Sequence, residues 1–314
     1  MPQLAITGAS GKLGGAVLHN LLKYNLLPPN ELVVSTSSSA DDPLWAPIKE
    51  KGVIVRQASY DDSESMEKAF AGCKCVLIVS TPRIEMDFDD APYGKGREAH
   101  HFAAIRAARA ANVRHIYYTS LGFGQNSKSG VMVAHNRTEE FLQMLSDTHF
   151  TIIREGLYNE SWPLYLGHYD ATNEDGRQEV LVAGDGPISW AAIDDLGLAT
   201  ASIITDEQSS CSSGVTITLA STGTHTLEDI AAMVSRAKSR NIALKVVSRE
   251  EHEQYYKERG MDPRYVTWWA KTYAALKENE CENQDRTFER LLAKYERTPK
   301  SLEQTINEMV GSKR

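Results

Sequence analysis

The stretch Leu4-Ala-Ile-Thr-Gly-Ala-Ser-Gly-Lys-Leu-Gly-Gly15 decides the fold. A short apolar run leads into Gly8, Gly11, Gly14 and Gly15, after which Val17, Leu18, Leu21 and Leu22 recur at helical spacing until Pro28-Pro29 stops the helix. The pattern predicts a buried strand, a tight turn and a helix that starts directly against the strand. In Gly8-Ala-Ser10-Gly11-Lys12-Leu13-Gly14, such a turn would offer backbone N–H groups and a helix N-terminus to a pyrophosphate, and the missing side chain of Gly14 would let the helix approach closely.

Further strands are predicted at Leu32–Ser35, Val53–Val55, Val76–Val79, His115–Thr119 and Phe150–Ile153, with helical patterns near residues 63–71 and 99–111. Strands and helices alternating in this way imply right-handed crossovers and a doubly wound parallel sheet covered on both faces, an α/β fold. Beyond Arg154 the rhythm loosens, with another strand–helix piece from Val215 to about Arg236 and a charged helical tail from about Ser248. The expected division is a dinucleotide-binding core over residues 1–154 and a smaller α+β lobe over 155–314 that partly contributes to the core.

The chain has 314 residues, 41 % of them hydrophobic, which is ample for a large core, and a formal net charge of -8 that argues against nucleic acid or an anionic membrane as partner. Cys73, Cys75, Cys211 and Cys281 are too few and too irregular for a disulfide framework or a metal site. The glycines interrupt any signal-like start and no apolar run reaches a membrane span, so the chain is expected to be cytoplasmic. The glycosylation-like patterns at Asn136 and Asn159 then carry no meaning.

Where an acidic residue would bond a ribose 2′-hydroxyl, the second strand ends in Ser35-Thr36-Ser37-Ser38-Ser39. Nothing there repels a 2′-phosphate and nothing cationic grips it, while Lys12, on the glycine turn, either approaches one or is a solvated helix-start lysine, so the reading leans towards NADP (NADPH) with NAD not excluded. The fifth strand ends in Thr119-Ser120-Leu-Gly-Phe123, where open sheets of this kind bind ligands, and Ser120 either orients a carbonyl or caps a turn. No Tyr lies between Tyr118 and Tyr158, so the Tyr-x-x-x-Lys pair of short-chain dehydrogenases is absent. In its place His135 opens a helix and is either a catalytic or a structural histidine, while His100-His101 sit within a helix as packing residues. Tyr158, Trp162 and Trp190 lie in loop-like sequence and are either walls for a flat substrate or core, and Trp268-Trp269 are either a lid or a helix–helix contact.

Ile6-Thr-Gly-Ala-Ser-Gly-Lys-Leu-Gly14, Val55-Arg-Gln-Ala-Ser-Tyr60, Ala110-Ala-Asn-Val113, Tyr118-Thr-Ser120, Ala134-His135 with Thr138-Glu139, Arg154 with Gly156 and Tyr158, and Thr298-Pro-Lys-Ser-Leu302 follow in order along nearly the whole chain. Together they resemble the NmrA-like family of atypical short-chain dehydrogenases, and within it the quinone and triphenylmethane reductase branch. The resemblance implies a Rossmann fold and an NADPH-dependent reductase passing hydride to a quinone-like or cationic dye-like aromatic molecule. It implies that the glycine turn holds the pyrophosphate, that Ser80, Thr81, Pro82 and Thr119 line the cofactor, that Tyr158 and Asn159 flank the nicotinamide or substrate, and that His135 stands where related members carry a catalytic lysine. Phe123, Trp162 and Trp190 are the expected substrate contacts.

The chain departs from the family pattern at Thr36, where an Arg often clamps the 2′-phosphate, and at Ser59, where an Asp often touches adenine. The family also holds redox-sensing regulators that bind dinucleotide without turnover, which keeps a regulatory protein partner among the expectations, and an isomerase or cyclase on the same fold is a third class. A monomer or a homodimer is expected.

Overall fold

The computed structural model describes residues 3–171, 175–206 and 213–311. Seven parallel strands form the central sheet: β1 (Leu4–Ile6), β2 (Leu32–Thr36), β3 (Ile54–Gln57), β4 (Cys75–Ile78), β5 (His115–Leu121), β6 (His149–Glu155) and, from the second half of the chain, β10 (Val215–Leu219). Their order is β10-β6-β5-β4-β1-β2-β3. The chain builds outward from β1 in both directions, so β1 and β4 are neighbours at the topological switch point, and a crevice opens at their C-terminal ends.

Strand alternation sorts the side chains into two layers. Leu4, Ile6, Leu32, Val34, Leu77, Tyr117 and Ile153 face the helices α1 (Lys12–Lys23) and α7 (Ile193–Thr205). Ala5, Val33, Val76, Ile78, Ile116, Tyr118 and Ile152 face α3 (Ser63–Phe70), α4 (Glu98–Ala110) and α5 (Met132–Gln143). On the first side α1 and α7 approach closely: a Cβ on Gly197 would sit 2.6 Å from the Ala16 carbonyl carbon. Asn20 of α1 also donates to the Asp194 side chain at 3.1 Å and its carbonyl at 3.2 Å.

The expected strands all form, within one to two residues of their predicted ends. The Val215 strand belongs to the main sheet, paired with β6 over Thr151–Glu155. Two small parallel ribbons, β7 (Leu157–Tyr158) with β9 (Trp190–Ala191) and β8 (Glu179–Val182) with β11 (Ala243–Val246), frame the second half. Its own apolar core gathers Phe123, Trp162, Tyr165, Trp190, Trp268, Trp269 and Tyr273. Trp268 and Trp269 thus belong to the packing of the helix Pro263–Lys277 and not to a lid. Cys73, Cys75 and Cys281 are free thiols whose pKa values are raised by burial, and Cys211 lies outside the described residues. Among the described residues no helix is long and apolar enough to cross a membrane, and no cluster of three or more His, Cys, Asp or Glu is placed to hold a metal.

Glu155, the last residue of β6, is fully buried; its Oε1 accepts from the Thr200 hydroxyl at 2.8 Å, while Oε2 has no partner among the described residues. Burial pushes its pKa up to about 8, opposed by the Thr200 hydrogen bond. The unfolded carboxyl ionises near its ordinary value of 4.5, so the folded chain binds the extra proton between that value and about 8, and stability falls as pH rises through this window. Glu155→Gln is expected to match the parent's melting temperature near pH 4.5 and exceed it by roughly 2–6 °C at pH 8, measured by calorimetry. A lower melting temperature at pH 8 would contradict the assignment of a neutral Glu155.

Candidate active site

The glycine turn occupies the switch point. Gly8 has φ +64, a left-handed conformation open to glycine, and its carbonyl accepts from Gly11 N–H at 2.9 Å. A Cβ on Gly14 would lie 2.4 Å from the Gly8 oxygen, so only glycine allows α1 to start this close to the turn. Gly11 is the N-cap of α1 and supplies no side-chain cap, and the first turn carries no acidic residue. Its first N–H groups are therefore free to receive an anion.

From this turn a cleft of about 830 Å³ runs across the C-terminal ends of the strands. One end is bounded by Thr36, Ser37, Ser59, Tyr60 and Asp61, the other by Leu121, His135 and Tyr158, with Ser80, Thr81, Pro82 and Arg97 between them. Tyr60 braces the first end. Its hydroxyl donates to the Val79 carbonyl at 2.7 Å, lies 3.0 Å from Thr7 Oγ1, and is pushed up to about 12 by burial, while its ring stacks on His100 at 5.5 Å. At the same end Arg83 Nη1 donates to both carboxylate oxygens of Asp61, at 2.9 and 3.0 Å. Asp61, the acidic residue at that end of the cleft, is thereby ion-paired; Asp41 is paired with Lys49 and Asp42 caps the next short helix.

At the other end the charged groups are tightly organised. Arg97 is buried and bonded through Nε to Asp87 (2.6 Å), through Nη1 to the Thr81 carbonyl (3.3 Å) and through Nη2 to the Val131 carbonyl (2.7 Å). It thereby pins the β4 loop to the start of α5. His135, 1 % exposed, lies in the first turns of α5, and its Nδ1 is 2.8 Å from the Tyr118 hydroxyl. Burial, reinforced by the charge of Arg97, holds its pKa well below 6.5, and the same causes act on His101. Both imidazoles are neutral at pH 7. Tyr158, half-buried, borders the cleft from the β7 ribbon, and burial together with Glu155 and Glu160 raises its phenol pKa far above 10.

Of the residues singled out in the sequence, Gly8, Ser10, Gly11, Lys12, Leu13, Gly14, Thr36, Ser37, Ser59, Ser80, Thr81, Pro82, His135 and Tyr158 all border this one cleft. Six others stand elsewhere. Ser120 donates to Glu139 at 2.6 Å, and Glu139 is held by Arg154, so that hydroxyl is committed to a buried ion pair behind the cleft. Thr119 accepts from Ser80 N–H at 3.1 Å and supports the cleft wall from outside. Asn159 is buried and donates to the Lys300 carbonyl and Thr305 Oγ1. Phe123, Trp162 and Trp190 pack into the core of the second half, Trp190 edge-on against Tyr165 with its indole N–H on the His225 carbonyl. Their apolar area is spent on packing and not on a ligand wall.

Sequence reasoning missed Tyr60, Arg83, Arg97 and the paired histidines of α4, of which His100 borders the cleft and His101 contacts Tyr118. The only signal was that Arg97, His100 and His101 lie within one and a half turns of one helix.

The fold and cleft define an α/β protein of the Rossmann-like class, with a site across its switch point. Residues 2–262 match the model of the NmrA-like family, and the chain belongs to that family. Quinone oxidoreductase 2 of Escherichia coli is 30% identical over 260 residues, 82% of either chain. A structure of the NADPH-dependent quinone oxidoreductase QOR2 of E. coli complexed with NADPH superposes with a TM-score of 0.79 at 25% identity, covering 98% of this chain and 99% of that one. The triphenylmethane reductase of Citrobacter sp. gives the same score, identity and coverage. An NmrA-like family domain-containing oxidoreductase of Aspergillus flavus is 29% identical over 249 residues, 78% of this chain and 75% of that one.

Gly14→Ala places a methyl group against the Gly8 carbonyl and should weaken binding of a reduced dinucleotide, followed by fluorescence titration, by at least about 10-fold with the fold intact by circular dichroism. Unchanged affinity would show that the glycine turn does not hold the ligand.

Proposed function

We propose that this chain is an NADPH-dependent reductase that transfers hydride to a quinone-like or related aromatic carbonyl compound. The observation that carries the reading is one uninterrupted cleft with an anion-receiving glycine turn near its middle and His135 with Tyr158 at one end. The residues fit a dinucleotide: Gly14 leaves the space a pyrophosphate turn requires, and the uncapped start of α1 supplies donors. When bound, the reduced nicotinamide supplies the hydride.

In this reading residues 1–154 hold the cofactor and residues 155–314 complete the acceptor end, with Tyr158 contributed from the second part. The Thr36–Ser37 end, whose acidic residue Asp61 is ion-paired with Arg83, has Lys12 on the facing turn, and this supports NADPH over NADH. Ser80, Thr81 and Pro82 would back the nicotinamide half, and Arg97 orders the loop that carries them. His135 would meet the acceptor oxygen, and Tyr158 would cover the acceptor ring. The Tyr-x-x-x-Lys acid is dispensable because a quinone accepting a hydride yields a stabilised hydroquinone anion, which takes its second proton from water.

Purified protein mixed with NADPH and a panel of quinones should show loss of absorbance at 340 nm, slower with NADH. His135→Ala should lower kcat by about 10²-fold, the usual effect of removing one donor to a developing oxyanion, with NADPH affinity kept. Tight NADPH binding with no oxidation by any acceptor would refute the reductase reading and favour a dinucleotide-sensing regulator acting through a protein partner.

A further inference from the structure

We infer that His135 is a fixed neutral hydrogen-bond donor, its proton confined to Nε2 by a buried chain running from the Thr81 amide through His101 and Tyr118, and that the site therefore serves acceptors whose oxygen gains negative charge. The inference about substrate class rests on the reductase reading; the proton placement does not.

The chain of donors leaves one assignment. The Thr81 backbone N–H donates to His101 Nε2 at 3.2 Å, so that nitrogen is unprotonated and the His101 proton is on Nδ1. The Thr138 hydroxyl donates to the Ala134 carbonyl at 2.7 Å and therefore accepts from His101 Nδ1 at 2.9 Å. The Tyr118 oxygen lies 3.1 Å from His101 Nδ1 and 2.8 Å from His135 Nδ1. His101 Nδ1 is already a donor, and Thr138 Oγ1, the phenol's third neighbour, already accepts from it, so we assign the single phenol hydrogen to His135 Nδ1, the acceptor 2.8 Å away. That nitrogen accepts, and the His135 proton resides on Nε2, the ring nitrogen left without a protein partner at the cleft.

The surroundings oppose the charged form. The ionisable groups around His135 are Tyr118 from β5, His101 and Arg97 from α4, and, at the same end of the cleft, Tyr158 from β7, whose phenol burial keeps protonated; on its own helix Glu139 is consumed by Arg154 and Ser120. A proton on His135 Nδ1 would require the Tyr118 hydrogen to turn away, leaving one phenol oxygen between two N–H groups, and would add a cation near Arg97 in a buried site. Burial also holds the Tyr118 phenol far above its ordinary pKa, so the hydroxyl keeps its proton.

A neutral imidazole of this kind polarises a carbonyl without being consumed as an acid. A quinone gains one hydride, which carries both electrons and one hydrogen, and the reduced nicotinamide is oxidised by its loss. The negative oxygen so formed receives the Nε2 hydrogen bond, and water at the cleft mouth delivers the second proton. Reduction of a cationic dye neutralises a charge, produces no oxyanion and gains nothing from this donor. Thr81, His101 and Tyr118 are thus positioning residues.

The test is a long-range ¹H–¹⁵N spectrum of histidine-labelled protein without cofactor, with His135 assigned by His135→Asn. It should show the Nε2–H tautomer of His135 unchanged from about pH 8 to pH 5.5. Tyr118→Phe should convert His135 to a tautomer mixture and lower kcat with a quinone about 5- to 20-fold, with KM for NADPH within about two-fold and the fold intact by circular dichroism. His101→Gln, which keeps an acceptor and a donor, should retain most activity, and His101→Leu should not. Wild-type kcat should be flat between about pH 5.5 and 8. An Nδ1–H tautomer, an imidazolium near pH 7, or an unaltered His135 signal in Tyr118→Phe would overturn the proposal. An absence of turnover with every acceptor would remove only the substrate-class part.

Discussion

The dinucleotide turn depends on one contact that has no room for a methyl group: the Gly8 carbonyl against the bare Cα of Gly14. Because Gly14 has no side chain, α1 begins at the tip of β1 and aims its unsatisfied N–H groups along the sheet's C-terminal edge. Because α1 lies so close, α7 can lie against it through Gly197 and Asn20, which anchors the second half of the chain to the first. The small residues of the opening sequence thus determine both the anion-receiving turn and the seat of the second half.

Electrostatics at the far end follow from burial. Arg97 ties the connection after β4, through Asp87 and the Thr81 carbonyl, to the start of α5 through the Val131 carbonyl, and its charge lies near two imidazoles that the interior already keeps neutral. A neutral histidine bordering a cleft is a hydrogen-bond donor first and an acid only at high cost. The carboxyl of Glu155, a short way along β6, is likewise kept neutral, so this part of the molecule carries little net charge despite its polar content.

Much of this was legible in the sequence where local pattern and global fold agree. The six strands announced themselves by apolar runs at a βα rhythm, and the glycine spacing gave the turn. The seventh strand, Val215–Leu219, was visible as a strand, but its pairing with β6 depends on a partner some sixty residues away. Trp162 and Trp190 read as loop aromatics because the short elements that carry them are two to four residues long and leave no periodic signature. His101 read as packing because its partners, Thr81, Tyr118 and Thr138, come from three separate elements. His135 was found from its place in the order of elements, not from any feature of the residue itself.

The central claim is that one cleft aligns a dinucleotide so that its reactive end meets His135. A crystal structure of the protein with NADPH tests it most directly. The account predicts the pyrophosphate on the Gly8–Gly14 turn, the 2′-phosphate by Lys12 and Ser37, and the nicotinamide between Thr81 and Tyr158, with its C4 within about 6 Å of His135 Nε2. A nicotinamide seated away from His135, or a cofactor bound outside this cleft, would contradict it.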